Sequence, residues 1–205
     1  GLDIETSDDI YNAQMDDIPD DYKRGYKLYN FRRPDKFSKE HLRTLEIIFE
    51  QYSRLLSTNL PVYLRKNVQV SVASSETVTF AEFSNALSNP VILSVIDFAP
   101  LKGSMMLEIS PNIGYTIIDR MLGGKGESLD KTREFSEIEL IIIEKIVVLC
   151  MQLMKDPWKN VVDLNPFLER IETNPQFAQI ISPTDMIAIV TLNIKIGDGD
   201  WGFKW

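Results

Sequence analysis

Apolar residues recur at helical spacing in the segment that opens at Ser38. Leu42, Leu45, Ile48, Phe49, Tyr52, Leu55 and Leu56 fall on one stripe, and Arg43, Glu46, Glu50 and Arg54 lie off it. Ser38 is placed to cap this first long helix, and Pro61 is expected to kink or end it. The period then switches to two: Val68, Val70 and Val72 alternate with Gln69 and Ser71, the pattern of a half-buried strand. Thr79-Phe80-Ala81-Glu82 is a capping box opening a short helix, with Phe80, Phe83 and Leu87 inward and Pro90 closing it. Val91 to Phe98 reads as an apolar strand, Pro100-Leu101-Lys102-Gly103 as a turn, and Ser104 to Ile109 as the hairpin partner. Ser110-Pro111 starts another helix, along which Ile113, Ile117, Ile118 and Met121 are helically spaced.

The second half repeats this order. Ser136 with Glu139 is a capping box, and the helix after it is apolar on nearly every side. Its polar stripe of Glu137, Glu144, Lys145, Gln152 and Lys155 is narrow, so burial on more than one side is expected, with Pro157 ending it. A strand over Val161–Glu172, a capped turn at Asn174-Pro175-Gln176-Phe177, a long strand over Met186–Ile196, an Asp198-Gly199 hairpin turn and a return strand from Trp201 follow. Phe80 and Phe83 correspond to the turn around Phe177, and Lys102-Gly103 to Asp198-Gly199. The fold expected is α/β and pseudo-two-fold: a mixed or antiparallel sheet packed with two long helices. The helix that ends at Gly123 follows the first copy, Ser38 to Ile109. Its counterpart would lie beyond Trp205, leaving apolar surface uncovered there.

Between the copies stands Arg120-Met-Leu-Gly-Gly-Lys-Gly-Glu127. Gly123 sits at the position after a helix end where a left-handed residue belongs, and only glycine takes that conformation without a Cβ penalty. Gly124 and Gly126 exceed what one cap needs. Two readings follow: an exposed tip that touches another protein, or a flexible turn without a partner. Nucleotide binding is excluded by spacing. Lys125 is followed by Gly126 and Glu127 instead of Ser or Thr, no glycine stands at the required upstream position, and a helix, not a strand, feeds the loop.

Composition narrows the chemistry. The chain has 205 residues and a net charge of −8, which suits one domain and disfavours phosphate-backbone contacts, so no nucleic-acid partner is expected. The single cysteine, Cys150, sits in an apolar helix and reads as a buried inert thiol. With one histidine, His41, neither a histidine-based triad nor a metal cluster has much to build on, and no cofactor is expected. The most apolar run, Ile138–Met154, carries Glu139, Glu144, Lys145 and Gln152, so no transmembrane segment is expected and the chain reads as a reduced cytosolic protein. Residues 1–28 read as a largely flexible acidic linker, and 29–205 as the domain. Tyr29-Asn30-Phe31-Arg32-Arg33-Pro34-Asp35 reads as a segment that docks on the domain surface.

Three segments carry a family resemblance: Phe31-Arg32-Arg33-Pro34-Asp35-Lys36-Phe37-Ser38, Leu122-Gly123-Gly124-Lys125-Gly126, and Glu172-Thr173-Asn174-Pro175-Gln176-Phe177-Ala178-Gln179-Ile180. In this order and spacing they resemble the middle domain of the bacterial flagellar motor switch family FliM. The resemblance covers about Tyr29 to Trp205, without the N-terminal peptide that captures phosphorylated CheY and the C-terminal FliN-like domain. It implies the CheC-like pseudosymmetric fold and a place in the cytoplasmic rotor ring, peripheral to the inner membrane. It implies contact with FliG through the Gly-Gly-x-Gly loop, which falls here on Gly123, Gly124 and Gly126 with Lys125 at the variable position. It further implies neighbouring FliM copies, FliN through the missing domain, and phosphorylated CheY as partners. Arg43, Glu46 and Arg54 are candidates for the contact between copies, against the ordinary reading of a solvated face.

CheC-like relatives dephosphorylate phosphorylated CheY with a helix signature of Asp or Ser, three residues, Glu, two residues, Asn. No complete copy occurs. Glu46-x3-Glu50-x2-Ser53 has the wrong first and last members, and Glu144 is flanked by Leu140 and Val147. Asp130-x3-Glu134-x2-Glu137 ends in Glu, and Val78-x3-Glu82-x2-Asn85 starts with an apolar residue. A non-enzymatic switch component is therefore expected, with a FliY-like phosphatase as the alternative.

Overall fold

The computed structural model describes residues 37–127 and 132–205. The readings for residues 1–28 and Tyr29–Asp35, and for Asp130, lie outside them. The elements run α1 (Lys39–Leu64), β1 (Val68–Thr79), α2 (Phe80–Ala86), β2 (Ile92–Ala99), β3 (Ser104–Ile109) and α3 (Pro111–Met121). Then come α4 (Glu137–Leu153), the one-turn α5 (Lys155–Trp158), β4 (Asn165–Glu172), a 3-10 turn (Pro175–Phe177), β5 (Met186–Ile196) and β6 (Gly199–Lys204).

The caps form as the residues dictate. The Ser38 hydroxyl accepts from the His41 amide, and both capping boxes close, Thr79 with Glu82 and Ser136 with Glu139. Ser110 is the N-cap of α3 by position, but its side chain makes no cap hydrogen bond.

Six strands form one sheet in the order β1-β5-β6-β3-β2-β4, and every pairing between neighbours is antiparallel. Reading this order from either edge gives the same sequence of roles. β1 and β4 follow the long helices and form the edges, β5 and β2 lie inside them, and β6 and β3 meet at the centre. That is the pseudo-two-fold arrangement expected from the repeat.

Alternation along β2 and β5 sends side chains to two faces. Ile92, Ile96 and Phe98 join Val190, Leu192 and Ile194 in the main core beneath α1, α3 and α4. Leu93 and Ile189 join Phe80, Phe83, Val91 and Ala178 in a smaller cluster on the other face. Tyr52 of α1 is fully buried, and its hydroxyl donates to the Cys150 carbonyl of α4 at 2.9 Å, tying the two long helices together. Its ring meets Phe49 and Trp205 edge-on, at 5.7 and 5.8 Å between centroids. Near the chain's last residues, Met105 and Met106 of β3, Ile187 of β5 and Trp205 border an apolar cavity of about 300 Å³.

Several boundaries differ from the sequence reading. α1 runs past Pro61 to Leu64, and the Arg65 amide closes back on the Pro61 carbonyl at 2.9 Å. A proline costs a helix one amide donor but leaves its own carbonyl free to accept. β4 starts at Asn165 and not Val161, because the Val161 and Val162 amides both turn back to the Trp158 carbonyl. Pro157 lies inside α5, after α4 has ended at Leu153. The β5–β6 turn is Gly197-Asp198, with Gly197 at φ +61°, so Gly199 belongs to the strand. At the turn around Phe177, Phe177 itself is exposed and Ala178 joins Phe80 and Phe83 in the smaller cluster. α4 is not buried on more than one side. Ile143, Ile146, Val147, Cys150 and Met151 are inside, while Ile138 and Ile141 are 73% and 60% exposed.

Candidate functional site

α3 carries the glycine segment away from the core. Its inward face is Ile113, Ile117 and Ile118, and the helix stops at Met121 with Leu122 as C-cap. Gly123 takes φ +93°, the left-handed region a side chain rarely enters. A Cβ there would meet nothing within 4 Å, so this glycine serves backbone conformation and not space. Gly124 is the opposite case. Its φ is not positive, but a Cβ would sit 2.1 Å from Asp119 Oδ1. Gly126 needs both, with φ +83° and a virtual Cβ 2.7 Å from Arg120 Cδ.

Two residues of the last turn of α3 hold the loop. The Asp119 carbonyl accepts from the Gly124 amide at 2.7 Å, and Asp119 Oδ2 accepts from the Gly126 amide at 2.7 Å. Arg120 Nη1 donates to the Gly124 carbonyl at 2.7 Å. The same guanidinium reaches the end of α1, with Nε donating to the Leu64 carbonyl at 2.7 Å and Nη2 to the Arg65 carbonyl at 2.5 Å. Gly123, Lys125 and Glu127 are exposed at the tip, Gly124 and Gly126 are half-buried, and Leu122 is 71% exposed. The loop is therefore an internally bonded tip presenting one large apolar side chain.

The sequence pattern does not single out Asp119, and it places Leu122 and Arg120 in the glycine segment without a role of their own. Leu122 lies on the helical period of Ile118, which disguises it as core. The bonds of Asp119 and Arg120 reach groups that the sequence does not place.

The other candidates are scattered. Arg43 and Arg54 are exposed on α1, whereas Glu46 is half-buried and its carboxylate accepts a short hydrogen bond from the Ser75 hydroxyl of β1. Among the described residues, the phosphatase-signature positions do not assemble. Glu50 and Glu144 are exposed, Ser53 is buried and donates to the Phe49 carbonyl at 2.7 Å, and Val147 is core. Glu82 is occupied as a cap: hydrogen bonds from the Thr79 amide and hydroxyl hold its carboxyl below the usual range. Burial pushes the Cys150 thiol up to about 12, which makes it a poor nucleophile. Among the described residues no three His, Cys, Asp or Glu side chains cluster as a metal site, and no helix is long and apolar enough to cross a membrane.

Residues 38–203 match the family model described as flagellar motor switch protein FliM. A curated relative of that name from Borreliella burgdorferi is 45% identical over 180 residues, covering 87% of this chain and 51% of the relative. A chain of the FliG–FliM complex from H. pylori superposes with a TM-score of 0.79 at 34% identity, over 82% of this chain and 92% of that one. Thermotoga maritima FliY shares the fold, with a TM-score of 0.73 at 18% identity over 82% of this chain and 89% of that one. The chain spans about half the length of the curated relatives it matches, and the names they carry are those of a motor-switch protein and not of an enzyme. From the caps, the two-fold sheet order and these matches together, the chain belongs to the FliM family of flagellar motor switch proteins.

Proposed function

We propose that this domain is a non-catalytic docking and relay module of the flagellar switch, gripping FliG with the tip formed by Leu122, Gly123, Gly124, Lys125 and Gly126. The observation that carries this is the exposed, internally bonded loop that ends α3. A relative with 34% identity is known in a FliG–FliM complex, which supports the partner. Leu122 is the apolar anchor in this reading, and the glycines let FliG approach the backbone closely.

Phosphorylated CheY biases the domain, neighbouring FliM copies share the response, and FliN engages another part of the longer protein. Shifting one isolated two-state unit from 1:99 to 99:1 takes about 5.5 kcal/mol of differential binding, and a ring of touching copies divides that demand. Arg43 and Arg54 are available for such contacts, with Glu46 beside them. The location that follows is peripheral, on the cytoplasmic face of the inner membrane. Among the described residues, no arrangement favours the phosphatase alternative.

Calorimetric titration of cognate FliG against the wild-type domain and the Leu122→Ser variant tests the reading. Loss of a buried apolar anchor weakens binding by about tenfold or more. Unchanged affinity in a folded variant refutes the assignment of the tip.

A further inference from the structure

We propose that Arg120 is the positioning residue of the FliG-docking loop, and that it couples the loop to the C-terminal end of α1; this rests on the reading of the loop given above. Three carbonyls converge on one guanidinium: Leu64 and Arg65 from the end of α1, 56 and 55 residues away in the chain, and Gly124 from the loop itself. The last carbonyls of a helix lack intrahelical partners and carry its negative dipole end, so they suit a cation.

The α1 end has a defined shape for Arg120 to grip. Arg65 sits at φ +50°, where a residue with a side chain is held only by its surroundings, and its amide is fixed to the Pro61 carbonyl. Guanidinium geometry matters here. A planar fork reaches three acceptors in fixed directions, whereas an ammonium on a flexible stem does not hold them in one arrangement. Asp119 completes the clamp by fixing the Gly126 amide from the neighbouring position. A displacement of the α1 end relative to α3 must therefore break bonds that shape the docking tip, so the tip reports the position of α1.

The test is Arg120→Lys, which keeps the charge, read by FliG titration and by amide exchange. Loss of charged hydrogen bonds predicts about tenfold weaker FliG binding and about tenfold faster exchange at the Gly124, Gly126 and Arg65 amides together. Core amides such as those of Ile117 and Val147 stay unchanged, which separates positioning from general destabilisation. Wild-type exchange at Gly124 and Gly126, or a uniform rise at every amide, overturns the proposal. Gly124→Val is the control for the loop itself. If it weakens FliG binding while R120K does not, the clamp is wrong and the loop assignment stands. If neither variant weakens binding, the loop assignment fails and the exchange data alone decide the clamp. Should R120K not fold, Arg120→Gln, which retains a single amide donor group, is read the same way.

Discussion

Replacing Gly124 and replacing Gly123 by alanine should do different things, although the two residues are adjacent. At Gly123 the added methyl enters open space, and the whole cost is the left-handed backbone at φ +93°. That is about 1–2 kcal/mol for a residue with a Cβ. At Gly124 the backbone is not left-handed, and the cost is steric: the new Cβ lies 2.1 Å from one Asp119 carboxylate oxygen and 2.3 Å from the other. The Asp119 side chain is short and must swing away, breaking its 2.7 Å bond to the Gly126 amide. A charge-assisted bond of this kind contributes about 1.5–3 kcal/mol.

The two variants thus lose similar stability in chemical denaturation, and only Gly124→Ala frees Gly126. Amide exchange at Gly126 separates them, with acceleration in Gly124→Ala and near wild-type protection in Gly123→Ala. FliG affinity should follow the Gly126 amide, falling further for Gly124→Ala. Unaltered Gly126 exchange in a folded Gly124→Ala variant would refute the role assigned to Asp119.

Two further perturbations test the frame that carries the tip. Tyr52→Phe removes the hydroxyl that reaches the Cys150 carbonyl in a fully buried setting and leaves that carbonyl without this donor; thermal and urea unfolding should show a loss of about 1–3 kcal/mol, and a loss below about 0.5 kcal/mol would show that the bond does not tie the helices. Glu139 gives a pH signature, because hydrogen bonds from Arg133 first, and from the Ser136 amide, hold its carboxyl at about 2 against an ordinary 4.5. The depressed value means the stabilisation is fully present above about pH 4.5 and is lost as pH falls towards about 2. Because the pair is at the surface, the amount is discounted to about 1 kcal/mol. Melting curves of wild type and Glu139→Gln should converge over that window, and curves that stay parallel would remove Glu139 from the acid response.

Much of the scaffold was legible because its determinants are local. Both capping boxes use a hydroxyl and a carboxylate three residues apart, and both form. The strand read at Met186–Ile196 has those bounds in the structure, since a β-branched apolar run ending at a glycine turn leaves little choice. The repeat was visible as an order of elements, and it became the symmetric strand order of the sheet. Where the structure departs from the pattern, a competing bond or the packing decided. Val161 and Val162 look like strand, but their amides are taken by Trp158. Ile138 and Ile141 look like core, yet α4 turns them outward.

The tip shows the same division. Local chain rules placed a helix end at Gly123, because backbone handedness is a property of one residue and its missing Cβ. They could not say why Gly124 is a glycine or why Arg120 stands beside it. Those answers depend on the Asp119 carboxylate and on the end of α1, 55 and 56 residues back in the chain. Sequence periodicity fixes which face of an element is apolar. Helix geometry leaves the last carbonyls without partners, but only packing decides what meets them, and here they meet Arg120, which also bonds the glycine loop.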